Sequence, residues 1–312
     1  MAIKDNPTYF AHANGISIAY QDVGNPSGPP VVLVMGLSAQ LIMWGDTFVD
    51  GLAAAGYRVI LFDNRDIGLS EKFYQYRRPR LRWQLFRNHV LRRPAVAPYK
   101  LSDMAADVTG LMDCLGIESA HLAGVSMGGM IAQTVAGTWP ERVRSLISIM
   151  STSSASHLPV DEKLVQEIAP LQMKRPSREA QIEQTVKLLV NIGSPVYPDE
   201  EGVRELITLG YDRSHYRAGV ERQMQAIMAS GDRVELLKSI RRPTLVIHGD
   251  RDPLLPLPHG EHVAALVPGA QMRIIEGMGH CLEPRVSKMI VAEMIAFIDP
   301  IESPYEERAA VG

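Results

Sequence analysis

Apolar residues run in short blocks through the first half of the chain, and their spacing predicts strands alternating with helices. Ile16–Val23 alternates apolar and polar positions, as a strand with one buried face does. Pro30–Met35 is a continuous apolar run ended by Gly36, and Tyr57–Phe62 is another ended by Asp63. Runs of that kind suit strands covered on both faces of a parallel sheet. The period then changes. Leu101, Met104, Ala105, Val108, Leu111, Met112 and Leu115 recur at helical spacing from about Ser102, with Gly116 placed to end the helix. A strand at Ala120–Val125, a helix from Met127 towards Trp139 and Pro140, and a strand at Val143–Met150 complete this rhythm. Strand and helix in alternation predict βαβ units and a mostly parallel sheet flanked by helices, an α/β fold.

After Met150 the texture changes. Residues 151–239 hold helical patches broken by Pro159, Pro170, Pro176, Pro195 and Pro198, with no strand-like run. The sheet pattern resumes at Thr244–His248 and Met272–Ile275, and a final helix is expected near Val286–Ile298 ahead of a frayed tail from Ser303 to Gly312. The expected organisation is a core of residues 1–150 and 240–312, a helical cap at 151–239, and a basic insertion at 72–100. No internal repeat or low-complexity tract interrupts it.

Candidate chemistry sits at the ends of these strands. Gly124-Val125-Ser126-Met127-Gly128 matches G-x-S-x-G, with an apolar strand leading in and a helix leading out. A turn that sharp strains the serine backbone and leaves no room beside it, which glycines at 124 and 128 relieve. Ser126 is therefore the candidate nucleophile. Downstream, the strand Leu245–His248 runs into Gly249-Asp250-Arg251-Asp252-Pro253. Asp250 directly follows the closing glycine and is expected to bond the turn. Asp252, further round a loop braced by Pro253 and Pro256, is the better placed to reach a histidine. His280 lies just past the last strand in Gly277-Met278-Gly279-His280, where loop freedom suits a base that must move slightly between accepting and returning a proton. His248 reads as packing, as do Met278 and Cys281; His259 and His262 are spaced to share a helix face but lack a carboxylate partner for a metal.

Acyl transfer also needs donors for the developing oxyanion. The Met127 N–H follows the nucleophile, and the loop Met35-Gly36-Leu37-Ser38 offers the Leu37 N–H as the second. Together with Asp63–Ser70, these motifs make residues from about 15 to 298 resemble the α/β-hydrolase superfamily, in its capped, serine-esterase-like branch. The resemblance implies the order Ser126, Asp252, His280 for nucleophile, acid and base, and no cofactor or metal. Many such chains carry His-Gly where this one has Met35-Gly36, which leaves the backbone donors and makes the entrance more apolar. Arg65 and Asp66 are expected to brace their loop.

Bulk properties narrow the reading only a little. The chain has 312 residues, 46% hydrophobic and 21% charged, with a formal net charge of −3, so nothing calls for a nucleic-acid partner. Two cysteines, Cys114 and Cys281, make no disulfide framework. No secretory signal follows Met1, and no run approaches the roughly 18 apolar residues of a membrane span, so a cytoplasmic protein without stable membrane insertion is expected. Residues 72–100 carry nine lysines and arginines and no acid, with Trp83, Phe86 and Val90 at helical spacing; a lid, a membrane-surface contact, a site for an anionic partner and a solvated basic face all fit. The expected activity is hydrolysis of short- to medium-chain or small hydrophobic carboxylic esters, with a small-molecule ester as partner. The pocket would be walled by Met35, Gly36, Met130, Trp83 and Phe86. Cleavage of a carbon–carbon bond, lactone opening, peracid formation and a slow-turnover ligand receptor share the same triad, and a homodimer is left open.

Overall fold

The computed structural model describes residues 3–76, 96–161, 163–164 and 177–309, with side chains as far as Ser303. Eight strands, β1 (Tyr9–Ala13), β2 (Ile16–Gly24), β3 (Pro30–Val34), β4 (Arg58–Phe62), β5 (Ala120–Val125), β6 (Val143–Ile149), β7 (Thr244–Gly249) and β8 (Gln271–Ile275), form one sheet. Its order is β1-β2-β4-β3-β5-β6-β7-β8. β2 pairs antiparallel with β1 and β4, and every other pairing is parallel. The described helices are α1 (Asp46–Ala54), α2 (Leu101–Cys114), α3 (Met127–Thr138), α4 (Arg178–Ile192), α5 (Glu200–Arg213), α6 (Arg217–Ser230), α7 (Val234–Ser239), α8 (Pro258–Leu266) and α9 (Pro284–Ala309).

The continuous apolar run of β3 is explained by the pleat. Val32 and Val34 point into one core with Met104, Val108, Met127 and Ile131 of α2 and α3. Val31 and Leu33 point into the other with Phe48, Val49 and Leu52 of α1 and Ile290 and Met294 of α9. Alternate residues serve opposite faces, so a strand buried on both needs apolar residues at every position.

Three elements go beyond what the periodicity predicts. β1 is missed because Tyr9 and Phe10 are exposed edge residues that spoil the alternation. Asn14 and Gly15, both at positive φ (49° and 78°), nevertheless turn it onto β2 as an Asn-Gly pair does in a hairpin. α1 and α8 are short helices with three buried residues each. The tail is a correction: α9 continues through Ala309 where fraying was expected from Ser303. Glu302 holds it down. Its carboxylate accepts from Arg144 Nη1 at 2.7 Å and pairs with His121 Nε2 at 2.9 Å beneath the sheet.

Between β6 and β7 the described chain holds helices α4 to α7. This insertion is fastened to the carboxyl end of the sheet by polar contacts. Arg222 makes a two-pronged buried ion pair with Asp66, each bond 2.8 Å. Asp66 also accepts from Tyr99 Oη and the Phe73 N–H, while Arg65 pairs with Asp107 and lies over the Phe73 and Tyr99 rings. Arg65 and Asp66 thus brace the loop after β4. Most of the basic segment, residues 77–95, lies outside the described residues.

Candidate active site

Ser126 sits between β5 and α3 with φ 54° and ψ −116°, a left-handed conformation that a side chain adopts only under constraint. Its N–H donates to the Ile149 carbonyl at 3.0 Å, and the Ser151 hydroxyl donates to the Ser126 carbonyl at 2.7 Å. The crowding that demands glycine is visible at Gly128, where a Cβ would overlap the Val34 carbonyl oxygen, and at Gly124, where it would overlap Gly128. The serine is only half-buried, and the N-terminus of α3 lies directly behind it.

The other two candidate residues arrive from loops after β7 and β8. His280 Nε2 lies 3.0 Å from Ser126 Oγ, and its Nδ1 lies 2.6 Å from Asp252 Oδ2. A carboxylate can only accept, so Nδ1 carries the proton and Nε2 is free to accept from the serine hydroxyl. Asp252 is 5% exposed and His280 9%. Oδ1 of Asp252 is occupied too, accepting from the Leu254 and Leu255 N–H groups at 2.9 and 2.8 Å. Asp250, expected to bond its own turn, instead reaches across to accept from the Gly277 N–H at 2.6 Å and braces the histidine loop.

Gly36 brings the β3 loop against the nucleophile. A Cβ there would stand 3.3 Å from the Val125 carbonyl and 3.4 Å from Ser126 Cβ. The loop that carries Leu37 therefore passes close beside Ser126. Met35 and Met130 are core residues, 3% and 6% exposed, on opposite faces of the sheet. Trp83 and Phe86 fall outside the described residues.

His248, His259 and His262 make structural contacts. His248 Nε2 donates to the Leu255 carbonyl at 2.7 Å, and burial pushes its pKa down. His259 bridges the Thr152 hydroxyl and the Pro159 carbonyl, and His262 contacts the Ser153 hydroxyl. Among the described residues no group of three or more histidine, cysteine or acidic side chains is arranged to hold a metal.

Sequence reading missed the polar side chains through which the insertion grips these loops. Gln223 of α6 bonds Ser38 and Arg65; Gln40 donates to the Gly210 and Ser214 carbonyls. On the histidine side, the His280 N–H donates to the Ile192 carbonyl at 2.6 Å. Ser194 Oγ donates to the Gly277 carbonyl at 2.6 Å, and the Ser194 N–H to Glu283 Oε1 at 2.6 Å. Such bonds join residues 80 to 190 positions apart and leave no local signature.

Comparison with known proteins agrees with this architecture. The chain is 29% identical over 311 residues to rhodomycin D methylesterase DauP of Streptomyces sp. (strain C5), covering 93% of this chain and 97% of that protein. It is 27% identical over 275 residues to a 2-hydroxy-6-oxononadienedioate/2-hydroxy-6-oxononatrienedioate hydrolase of Pseudomonas sp, covering 85% of each. The crystal structure of the enol-lactonase from Burkholderia xenovorans LB400 superimposes with a TM-score of 0.73 at 21% identity, covering 93% of this chain and all of that one. The family model described as the alpha/beta hydrolase fold matches residues 29–282, and the chain accordingly belongs to the α/β-hydrolase family and is a hydrolase.

Proposed function

We propose that this protein is a serine carboxylesterase working through an acyl-enzyme, with Ser126 as nucleophile, His280 as general base and Asp252 as the acid that orients it. The unbroken chain from Ser126 Oγ through His280 to Asp252, at 3.0 and 2.6 Å, carries the reading. His280 takes the hydroxyl proton as Ser126 attacks the ester carbonyl, and Asp252 stabilises the imidazolium. The N–H groups of Leu37 and Met127 receive the oxyanion, a contribution of about 3 kcal/mol each. His280 then returns the proton to the departing alcohol, and water releases the acid by the same path. Helices α4 to α7 form a cap over this site, and its substrates are small hydrophobic or short- to medium-chain esters. The name of the methylesterase relative puts methyl esters first among the substrates to test.

A second reading, hydrolysis of a carbon–carbon bond by the same three residues, is favoured by the likeness to the hydrolase of Pseudomonas sp. A panel of methyl esters, p-nitrophenyl esters from acetyl to palmitoyl, lactones and vinylogous diketones separates the two. The expected result is turnover of esters, abolished in a folded Ser126→Ala variant that a fluorophosphonate no longer labels. Labelling of that variant would remove Ser126 from the mechanism, and turnover confined to diketones would favour the second reading.

A further inference from the structure

We infer that Gln223, on helix α6 of the insertion, is a positioning residue that sets the Leu37 peptide N–H against Ser126. This rests on the acyl-enzyme reading above. Gln223 is fully buried. Its Oε1 accepts from the Ser38 N–H at 3.0 Å, and its Nε2 donates to the Arg65 carbonyl at 3.0 Å. Ser38 is the residue directly after Leu37 and stands at φ 65°, a conformation that the loop must be held in.

The partners force the orientation of the amide. A peptide N–H needs an acceptor and a carbonyl needs a donor, so the oxygen must face Ser38 and the nitrogen Arg65. Glutamate supplies only the acceptor, and an apolar side chain of equal length supplies neither. The anchorage of this amide is itself fixed. Arg65 is clamped to Asp107 at 2.6 Å, and the neighbouring Arg222 is paired with Asp66. The amide therefore ties the loop after β3 to the braced loop after β4, through a residue contributed by the insertion. Gly36 already places the loop against Ser126; Gln223 fixes how far round the next peptide turns. An N–H aimed at an oxyanion acts only within a few tenths of an ångström of its proper place, so a slack loop loses transition-state binding before it loses substrate binding.

The test compares Gln223→Met and Gln223→Glu with the unchanged protein on one good ester. Readouts are kcat, KM, melting temperature, and affinity for a trifluoromethyl ketone, whose adduct with Ser126 carries an oxyanion. For Gln223→Met the expected result is a fall in kcat of about 30-fold with KM within about twofold. The trifluoromethyl ketone should weaken by the same factor, while a neutral alcohol product binds as before. Gln223→Glu keeps the acceptor for Ser38 but sets a carboxylate oxygen against the Arg65 carbonyl, breaks the tie between the loops, and should lose kcat as well. Unchanged kcat in Gln223→Met would overturn the inference. So would a lower melting temperature with the ketone's affinity intact, which marks Gln223 as packing only, or a Gln223→Glu variant as fast as the unchanged protein. If the unchanged protein itself fails to be labelled at Ser126, the acyl-enzyme reading falls and takes this role with it, a failure distinct from the other three.

Discussion

Two aspartates stand two residues apart after β7, and their hydrogen bonds divide the labour between them. Asp252 touches His280, whereas Asp250 touches only the Gly277 N–H and the Arg251 guanidinium. Asp252→Asn should therefore lower kcat by roughly 10⁴-fold, because the amide favours the wrong histidine tautomer. Asp250→Asn should cost only a fewfold, and steady-state kinetics on one ester rank the two. Cys281, next to the base, makes a second test at this scale. Its thiol donates to the Leu189 carbonyl at 3.4 Å, and burial, with Glu283 and Asp252 nearby, pushes its pKa far above the usual thiol value. A thiol held protonated is a poor nucleophile. Iodoacetamide at pH 8 should modify the exposed Cys114 and leave both Cys281 and activity intact, as peptide mapping would show.

At the level of elements, the histidine loop is clasped between β8, α9 and the end of α4, and Glu283 is the buried clasp. Its Oε1 takes the Ser194 N–H, while Oε2 has no hydrogen-bond partner among the described residues. Burial raises its pKa, so the ionised form is penalised in the fold, and this cost grows as pH rises from 4.5 through the folded value. Glu283→Gln keeps the acceptor and sheds the charge, so its melting temperature at pH 8 should equal or exceed that of the unchanged protein. Glu283→Ala strands the Ser194 N–H and should lose about 1–3 kcal/mol, measured by denaturant unfolding. Elements like these mark where sequence stops being legible. The elbow and acid turn follow buried strands and the histidine loop follows a short apolar run, so local pattern finds them. Gln223, Ser194 and Glu283 are ordinary polar residues whose partners are remote in sequence, and no local period distinguishes them from a solvated surface. α1 and α8 were missed for a different reason, being too short for a helical period to accumulate, and β1 because its apolar residues face outward.

For the whole molecule, the buried histidines set the response to acid. His121, His248 and His259 all have pKa values lowered by burial, so the fold prefers each one neutral. Their unfolded value is near 6.5. Stability from such groups is complete above that value and drains away as pH falls through it towards the folded values. Glu283 works in the opposite sense but only recovers its cost on approach to pH 4.5. Melting temperature should therefore be level between about pH 7 and 8 and fall from about pH 6.5 to 5, as calorimetry across that range would register. A rise on acidification would show that the histidines are not held neutral. Among the described residues no helix is long and apolar enough to cross a membrane.

The insertion leaves the sheet after β6 and re-enters at β7, and those strands are direct neighbours, with Ile149 opposite Ile247. The pairing is parallel, however, so the insertion departs from Ile149 and must return to Thr244, which lies opposite Leu146, roughly 10 Å back along the strands. Recombining specificities by transplanting this stretch from another hydrolase therefore leaves the return crossover, which here includes α7, in place. The two tethers set the condition for success. A transplant lacking a carboxamide to hold Ser38, or a hydroxyl to meet the Gly277 carbonyl, would yield a chimera that assembles and presents its serine yet turns over poorly. Donor segments should be chosen by those two side chains before any pocket-lining residue is considered.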